Sequence, residues 1–400
     1  MQINEDKYPP YTNSRGNWIL FFGSVYFFIA NLFASIAVLP GYSLAIGSTA
    51  FQAGLQNTVF GLAAIILRLL LGPVMDRQGP KPLMLIGVIT FTTGPLLLML
   101  HDSYFMLLAV RIYQSFGLAV FLPGISTLLA DMAPMKKIGL YLGMTRIFFN
   151  IGLLTGASAA LTIIERYSYN HWFFVSALTS AISLVLLAVL KVPGVKIHVN
   201  NISGIWNRTR EVLQNKQIYP IIGGIALFSI NYSAVISFSA VYIDENIVNG
   251  TAARFFIILG FTGIISCLLT GILTDRFGRQ KVVWPMLVLV GLGTGSLYLI
   301  AYNSIFAIVA ALLLGIGIQG SSLSFTAWLI KISNPELRAT TISLQENTID
   351  TFFALGPVIF GLAAQGPGLD SAFLAAGILT LLAILPLRKS SRAITVKDYS

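Results

Sequence analysis

Charged residues are scarce in this chain of 400: Asp, Glu, Lys and Arg make up 10% of it, against about 25% in a soluble domain. With 56% hydrophobic residues, the composition excludes an ordinary water-soluble globule. Cysteine is almost absent as well. The single Cys267 rules out an intramolecular disulfide, and the scattered His101, His171 and His198 offer no metal-ligand spacing. No metal and no other cofactor is expected. No paired His or acid–nucleophile cluster suits catalysis near a membrane surface, so an enzyme is not expected either. A Gly-x-x-x-x-Gly-Lys-Ser/Thr loop is also missing, which excludes an ATP-driven pump within this chain.

What the chain has is long apolar runs. A bilayer core of ~30 Å needs about 20 apolar residues in a helix. Runs of that size recur near residues 17–41, 50–72, 82–101, 104–130, 138–163 and 171–192, then 217–242, 252–273, 282–302, 305–331, 339–363 and 369–388. The first follows a polar segment and is too long for a signal-peptide core, so no cleavable signal is read there. These runs predict an all-α membrane protein of about twelve transmembrane helices in two pseudo-symmetric six-helix halves, residues 1–192 and 217–400. Residues 193–216 form a polar linker, with a short surface helix near Ile205–Leu213.

The net charge of +10 does not mark a nucleic-acid partner, because its placement follows the spans. With a cytoplasmic N-terminus, 20 of the 25 Lys and Arg fall on one side, including Lys136, Lys137, the cluster from Lys191 to Lys216 and the tail from Arg388 to Lys397. Only Arg166 and Arg254 fall opposite, and Arg68, Arg111 and Arg146 lie within spans. Basic residues concentrate on the cytoplasmic side of membrane proteins. A multi-pass protein of the cell membrane with both termini cytoplasmic is therefore expected, its partners being the lipid bilayer, a small-molecule substrate and protons. Trp172 and Tyr242, near span ends, read as interfacial aromatics.

The two halves share a motif. Gly72-Pro73-Val74-Met75-Asp76-Arg77-Gln78-Gly79 returns 199 positions later as Gly271-Ile272-Leu273-Thr274-Asp275-Arg276-Phe277-Gly278. Gly72 and Gly79 allow a tight turn and close helix approach. Asp76 at the membrane surface can accept from helix N-terminal amides. Asp76 and Arg77 are otherwise ordinary interfacial charges. Further matches at an offset of 200 include Gly156 with Gly356, Arg146 with Glu346 and Asn150 with Asp350, while Pro134 and Pro335 precede the fifth and eleventh spans.

With six plus six spans, a central linker and paired Gly-x-x-x-Asp-Arg-x-Gly elements, the chain resembles the major facilitator superfamily over nearly its whole length. Pro80 stands where the family usually has a basic residue, with Lys81 one position later; the second copy keeps Arg279, with Lys281 beyond. The resemblance implies a secondary carrier working by alternating access, functional as a monomer, with Gly72, Asp76, Arg77, Gly79, Arg68, Gly271, Asp275, Arg276, Gly278 and Arg279 as gating residues. It also implies that Arg111, in an Arg-x-x-Gln-Gly-like element whose Gly117 is displaced, takes part in proton coupling.

Ionisable side chains inside a bilayer are costly, at roughly 2.5–3.5 kcal/mol each on insertion scales, and are functional candidates by default. Glu346 and Asp350 are spaced i, i+4, so both carboxylates share one face of the eleventh helix. They are assigned to proton coupling together with Arg111. Glu346 can pair with Arg68 as a gate or as a permanent packing ion pair. Arg146 needs an anion, supplied by an acid, by cargo or by snorkelling to the interface. Cys267 occupies the position matching Arg68. Pro357 is expected to kink the eleventh helix.

The helices that line the cavity in the family carry Tyr26, Asn31, Tyr113, Gln114, Asn231, Tyr232, Gln319 and Trp328. With Arg146 and Asn150 they form the expected substrate-binding set. The functional expectation is a proton-coupled transporter moving a small organic solute, an amphiphilic anion or zwitterion, outward. The alternatives are a symporter or facilitator importing an organic anion, and a transport-inactive membrane sensor. A channel does not explain the duplicated loops.

Overall fold

The computed structural model describes residues 15–132, 138–192, 209–247, 251–333, 337–366 and 368–397. Lipid offers no partner for a free backbone amide, so a spanning segment must satisfy its own, and a helix does so. All twelve apolar runs are helices long and apolar enough to cross a membrane. They are α1 Arg15–Ala45, α2 Ala50–Gln78, α3 Pro80–Leu98, α4 Tyr104–Met132, α5 Ile138–Arg166, α6 Tyr169–Val189, α7 Ile218–Asn246, α8 Thr251–Phe277, α9 Arg279–Ser296, α10 Ile305–Ile332, α11 Arg338–Gln365 and α12 Leu369–Lys397. Among the described residues there is no strand. A short helix at 209–214 covers part of the surface helix expected in the linker. Pro134, Pro335, Lys136, Lys137 and residues 193–208 lie outside the described residues.

The repeated motif is mostly helix, not loop. Helix α2 continues to Gln78 and α8 to Phe277, so only Gly79 and Gly278 turn the chain. They do so at φ 79° and 86°, a left-handed region open to glycine and strained for other residues. The close approach expected of Gly72 is absent: a Cβ there, or on Gly271, would meet nothing within 4 Å. Trp172 and Tyr242 are buried rather than interfacial. Tyr242 packs on Phe373, with ring centroids 5.6 Å apart.

By internal contacts the chain divides into two units. One comprises Met1–Ser35 with Val59–Val199, and the other Ile36–Thr58 with Asn200–Ser400. Glycines set the helix spacing in each. In the first unit, a Cβ on Gly156 of α5 would collide with the Ala30 carbonyl of α1, and one on Gly117 of α4 would lie 2.6 Å from the Gly87 oxygen of α3. The second unit repeats both contacts at offsets of 199 or 200. A Cβ on Gly356 of α11 would lie 2.9 Å from the Ile230 oxygen of α7, and one on Gly317 of α10 would lie 2.9 Å from the Met286 oxygen of α9.

At one end of the first unit, Lys81 Nζ donates to the Ala188 and Leu190 carbonyls at 2.9 and 2.6 Å. These carbonyls end α6, where a cation complements the helix dipole. The basic residue that follows the first motif thus ties α3 to α6.

Adding a side chain where backbones touch overpacks the seam at a cost of typically 1–3 kcal/mol. Gly156→Val is expected to lower the thermal unfolding midpoint of the detergent-purified protein. Gly72→Ala, in open space within a helix, should leave it unchanged or raise it slightly, because alanine favours the helix by roughly 0.5–1 kcal/mol.

Candidate functional site

The first unit carries a buried cation. Arg111, seven residues into α4, is the largest fully buried side chain described. Its Nη1 donates to Ser35 Oγ of α1 at 3.4 Å and to Gln114 Oε1 at 3.3 Å. The guanidinium carbon lies 3.7 Å from the centroid of the Phe60 ring of α2, within the range of a cation–π contact. Phe91, fully buried, neighbours Phe60 and Phe28, and Phe28 stacks on Phe121 at 3.7 Å. Arg111 therefore sits beside an aromatic cluster, gripping α1 and α2 from α4. Gln114 is spent on the same contact and packs over Gly94 of α3.

The polar residues expected to bind substrate divide by what their groups already do. Asn31 Nδ2 donates to the Ser176 carbonyl at 2.8 Å and to Ser180 Oγ, while Ser176 Oγ donates to Asn31 Oδ1 at 2.7 Å. Both ends of its amide are used, so Asn31 ties α1 to α6. Asn231 ties α7 to α12 through Nδ2 alone, which donates to Thr380 Oγ1 at 2.9 Å and to the Leu227 carbonyl at 2.7 Å, while its Oδ1 is buried without a hydrogen-bond partner. Asn31 with Ser180 and Asn231 with Thr380 are the same contact displaced by 200 residues in both partners. Two asparagines at that offset, each 149 residues before a hydroxyl, were the available signal.

Trp328 is also packing, set edge-on to Trp284 at 6.0 Å and buried. Tyr113 lies on the exposed side of α4, its hydroxyl 3.1 Å from Thr93 Oγ1 of α3. Tyr26, half-buried, donates to Thr155 Oγ1 of α5 at 3.0 Å. Asn150 is buried and donates back to the Arg146 carbonyl at 3.0 Å, while Arg146 itself is half-buried.

In the second unit, Glu346 and Asp350 both lie half-buried on α11, as the i, i+4 spacing requires. The preceding Gln345 is buried and committed to α10, donating to Thr326 Oγ1 at 2.7 Å. That bond fixes which face of α11 meets α10 and so fixes the direction of the carboxylate pair. Tyr232 is half-buried against Phe353 of α11, with centroids 5.4 Å apart. Gln319 is half-buried on α10. Arg68 of α2 is half-buried in the first unit, whereas Glu346 belongs to the second. Of the motif residues, Arg276 is exposed and Arg279 half-buried, while the side chains of Asp76, Arg77 and Asp275 lie outside the described residues. Among the described residues there is no group of three or more His, Cys, Asp or Glu placed to hold a metal ion.

The sequence matches the family model of the Major Facilitator Superfamily over residues 19–349 and 255–395. The chain belongs to the Major Facilitator Superfamily. It is 20% identical over 362 residues to an uncharacterised MFS-type transporter of Methanocaldococcus jannaschii, covering 86% of this chain and 90% of that one. A shorter likeness, 24% over 161 residues, links it to the quinolone resistance protein NorA of Staphylococcus aureus, covering 40% of this chain and 41% of NorA.

Among solved structures, a bacterial homologue of the human lysosomal transporter Spinster superposes with a TM-score of 0.80 at 16% identity, covering 98% and 99% of the two chains. The nucleoside transporter NupG superposes at 0.77 and 15% identity, over 96% and 99%. These structural likenesses show a shared fold. The protein is thus a membrane transporter of the MFS type, and its intramembrane charges are read in that light.

Loss of the asparagine ties is expected to show in stability. Asn31→Ala leaves buried hydroxyls and a carbonyl without their partner, which costs about 1–3 kcal/mol. Chemical denaturation should report that loss, and so should the equivalent Asn231→Ala, while cargo affinity of the folded fraction stays at the parent value.

Proposed function

We propose that this MFS transporter is a proton-coupled carrier that exports a small organic solute, an amphiphilic anion or zwitterion, across the cell membrane by alternating access. It works as a monomer with both termini in the cytoplasm. The observation that carries the reading is the pair Glu346 and Asp350, two half-buried carboxylates one turn apart on a membrane-spanning helix. Carboxylates within a span are costly to keep there and are functional candidates by default. We assign the proton path to this pair because coupling to a proton gradient requires a protonatable group within the spans. Arg146 and Asn150, one turn apart on α5, occupy the positions that match Glu346 and Asp350 at an offset of 200. A guanidinium there attracts an anionic cargo group, because Arg keeps its charge at any working pH.

The supporting groups are Tyr26, Tyr232 and Gln319, each half-buried. In this reading Asn31, Gln114 and Trp328 serve packing, Arg111 anchors α1 and α2, and Asn231 keeps a free amide oxygen beside its tie to α12. Outward direction draws support from the likeness to NorA, a protein named for quinolone resistance, over 40% of this chain.

In proteoliposomes carrying a pH gradient and a panel of amphiphilic anions and zwitterions, fluoroquinolones included, Glu346→Gln is expected to abolish gradient-driven flux while cargo binding persists. Driven flux at the parent rate in Glu346→Gln removes that residue from the proton path. Arg146→Gln is expected to weaken anionic cargo by roughly 10- to 100-fold, the range for a hydrogen bond to a charged group, and to leave neutral cargo unchanged. An equal loss for both cargo classes, read by equilibrium binding, speaks against direct contact.

A further inference from the structure

The end of the first unit at which α1 begins and α6 stops holds a cavity of about 480 Å³, lined by Lys81, Lys191 and the apolar run Ala188, Val189, Leu190 and Val192. Local bonding fixes its walls. Lys81 Nζ gives two of its three N–H groups to the Ala188 and Leu190 carbonyls, at 2.9 and 2.6 Å. Asn17 of α1 makes a two-way bond with the backbone of Lys191. Its Nδ2 donates to the Lys191 carbonyl at 3.0 Å, and the Lys191 amide donates to its Oδ1 at 3.4 Å. The chain leaving α6 is thereby held to α1 and α3, with the Lys191 side chain exposed. Arg15, exposed two residues before Asn17, adds a third cation at this end. Among the described residues that line the cavity, none is acidic.

A third Lys81 N–H and the Lys191 ammonium are left to meet a ligand. Lys81 is half-buried and already held by two bonds, so it loses little freedom in taking a third partner. The depth of the cavity selects what that partner is. Lys81 is the second residue of α3, and Ala188 to Leu190 close the last turn of α6, which places the cations where spanning helices meet lipid headgroups. Toward the bilayer centre the surface turns apolar. Val189 is exposed, and Val185 and Ile182 continue its stripe along α6. On α3, half-buried Leu85 and exposed Ile89 follow Lys81 at helical spacing. Cations at the rim with apolar side chains beneath complement an anionic head on hydrocarbon tails. A soluble anion would use the rim alone.

We propose that this corner is a binding site for an anionic phospholipid. The phosphate group lies between the Lys81 and Lys191 ammonium groups, and the acyl chains follow Val189, Val185 and Ile182 along α6. Basic pockets between spanning helices take lipid headgroups in this manner. The second half supplies a control. Lys281, which matches Lys81 at an offset of 200, is exposed at the start of α9, so it carries the same charge on a different surface. The assignment does not depend on cargo, coupling ion or direction of transport.

The full chain, delipidated in detergent, is titrated with phosphatidylglycerol, with phosphatidylcholine of the same acyl chains, and with inorganic phosphate. Bound lipid per chain is counted by native mass spectrometry. Phosphatidylglycerol is expected to bind first as a single saturable lipid that phosphatidylcholine does not displace. Lys191→Gln should weaken it by about fivefold, the factor for one basic side chain at an anionic membrane surface. Lys81→Gln should weaken it at least as much, while Lys281→Gln leaves it at the parent value. Lys191 is tied to α1 through its backbone, so its side chain can be changed without loosening that tie, and the test holds even where Lys81→Gln unfolds. Equal retention of the two lipids overturns the proposal. So does an equal loss in Lys191→Gln and Lys281→Gln, which marks diffuse attraction of charge. Inorganic phosphate that displaces the lipid at matched concentration marks a soluble-anion site and overturns it as well.

Discussion

Helices in hydrocarbon gain nothing by hiding apolar side chains from one another, since lipid tails are as apolar as leucine. Association then depends on close backbone approach and on hydrogen bonds formed away from water. Both are supplied here at matched places. Gly156 lets α5 close on α1, Gly356 lets α11 close on α7, and Asn31 and Asn231 tie α1 to α6 and α7 to α12. Glu346 and Asp350 face where they do because Gly356 and Gln345 fix the rotation of α11 against α7 and α10.

Arg111 works by a different principle. A guanidinium in an apolar interior carries a large desolvation cost, which is offset only by well-placed acceptors and ring faces. Ser35, Gln114 and Phe60 provide them, and they come from two helices besides its own. The residue holds α1 and α2 at the depth where both pass from one unit to the other. A cation committed in this way is poorly suited to follow cargo occupancy. The carboxylates of α11, half-buried and adjacent, are better placed to do so.

The spans were legible from hydropathy alone, because a membrane leaves helices as the outcome for runs of that length. All twelve fell where the apolar runs lie, to within a turn or two at most ends. The motif was legible as a repeat but not as structure: its polar letters suggested a loop, yet the helix ends only at Gly79 and Gly278. Side-chain roles were less legible. Asparagine in a span reads equally as a ligand for cargo or as a tie between helices, and only the partners at Ser180 and Thr380 decide. Trp172 and Tyr242 failed for a related reason. Their position along the helix was read, but their direction around it was not, and both point inward.

Internal duplication separates what the fold requires from what has been added to it. Gly79 and Gly278, Gly117 and Gly317, Gly156 and Gly356, and Asn31 and Asn231 recur because each half faces the same packing problem. The charges within the spans do not recur. Arg146 stands opposite Glu346 in the alignment, and Arg68 opposite Cys267. Arg111 matches Ala311, which is fully buried and whose carbonyl accepts from Thr262 at 3.4 Å. The second half thus closes the same seam with a methyl group and a backbone bond. Since one half packs without a cation there, the shared fold alone does not require the cation in the other.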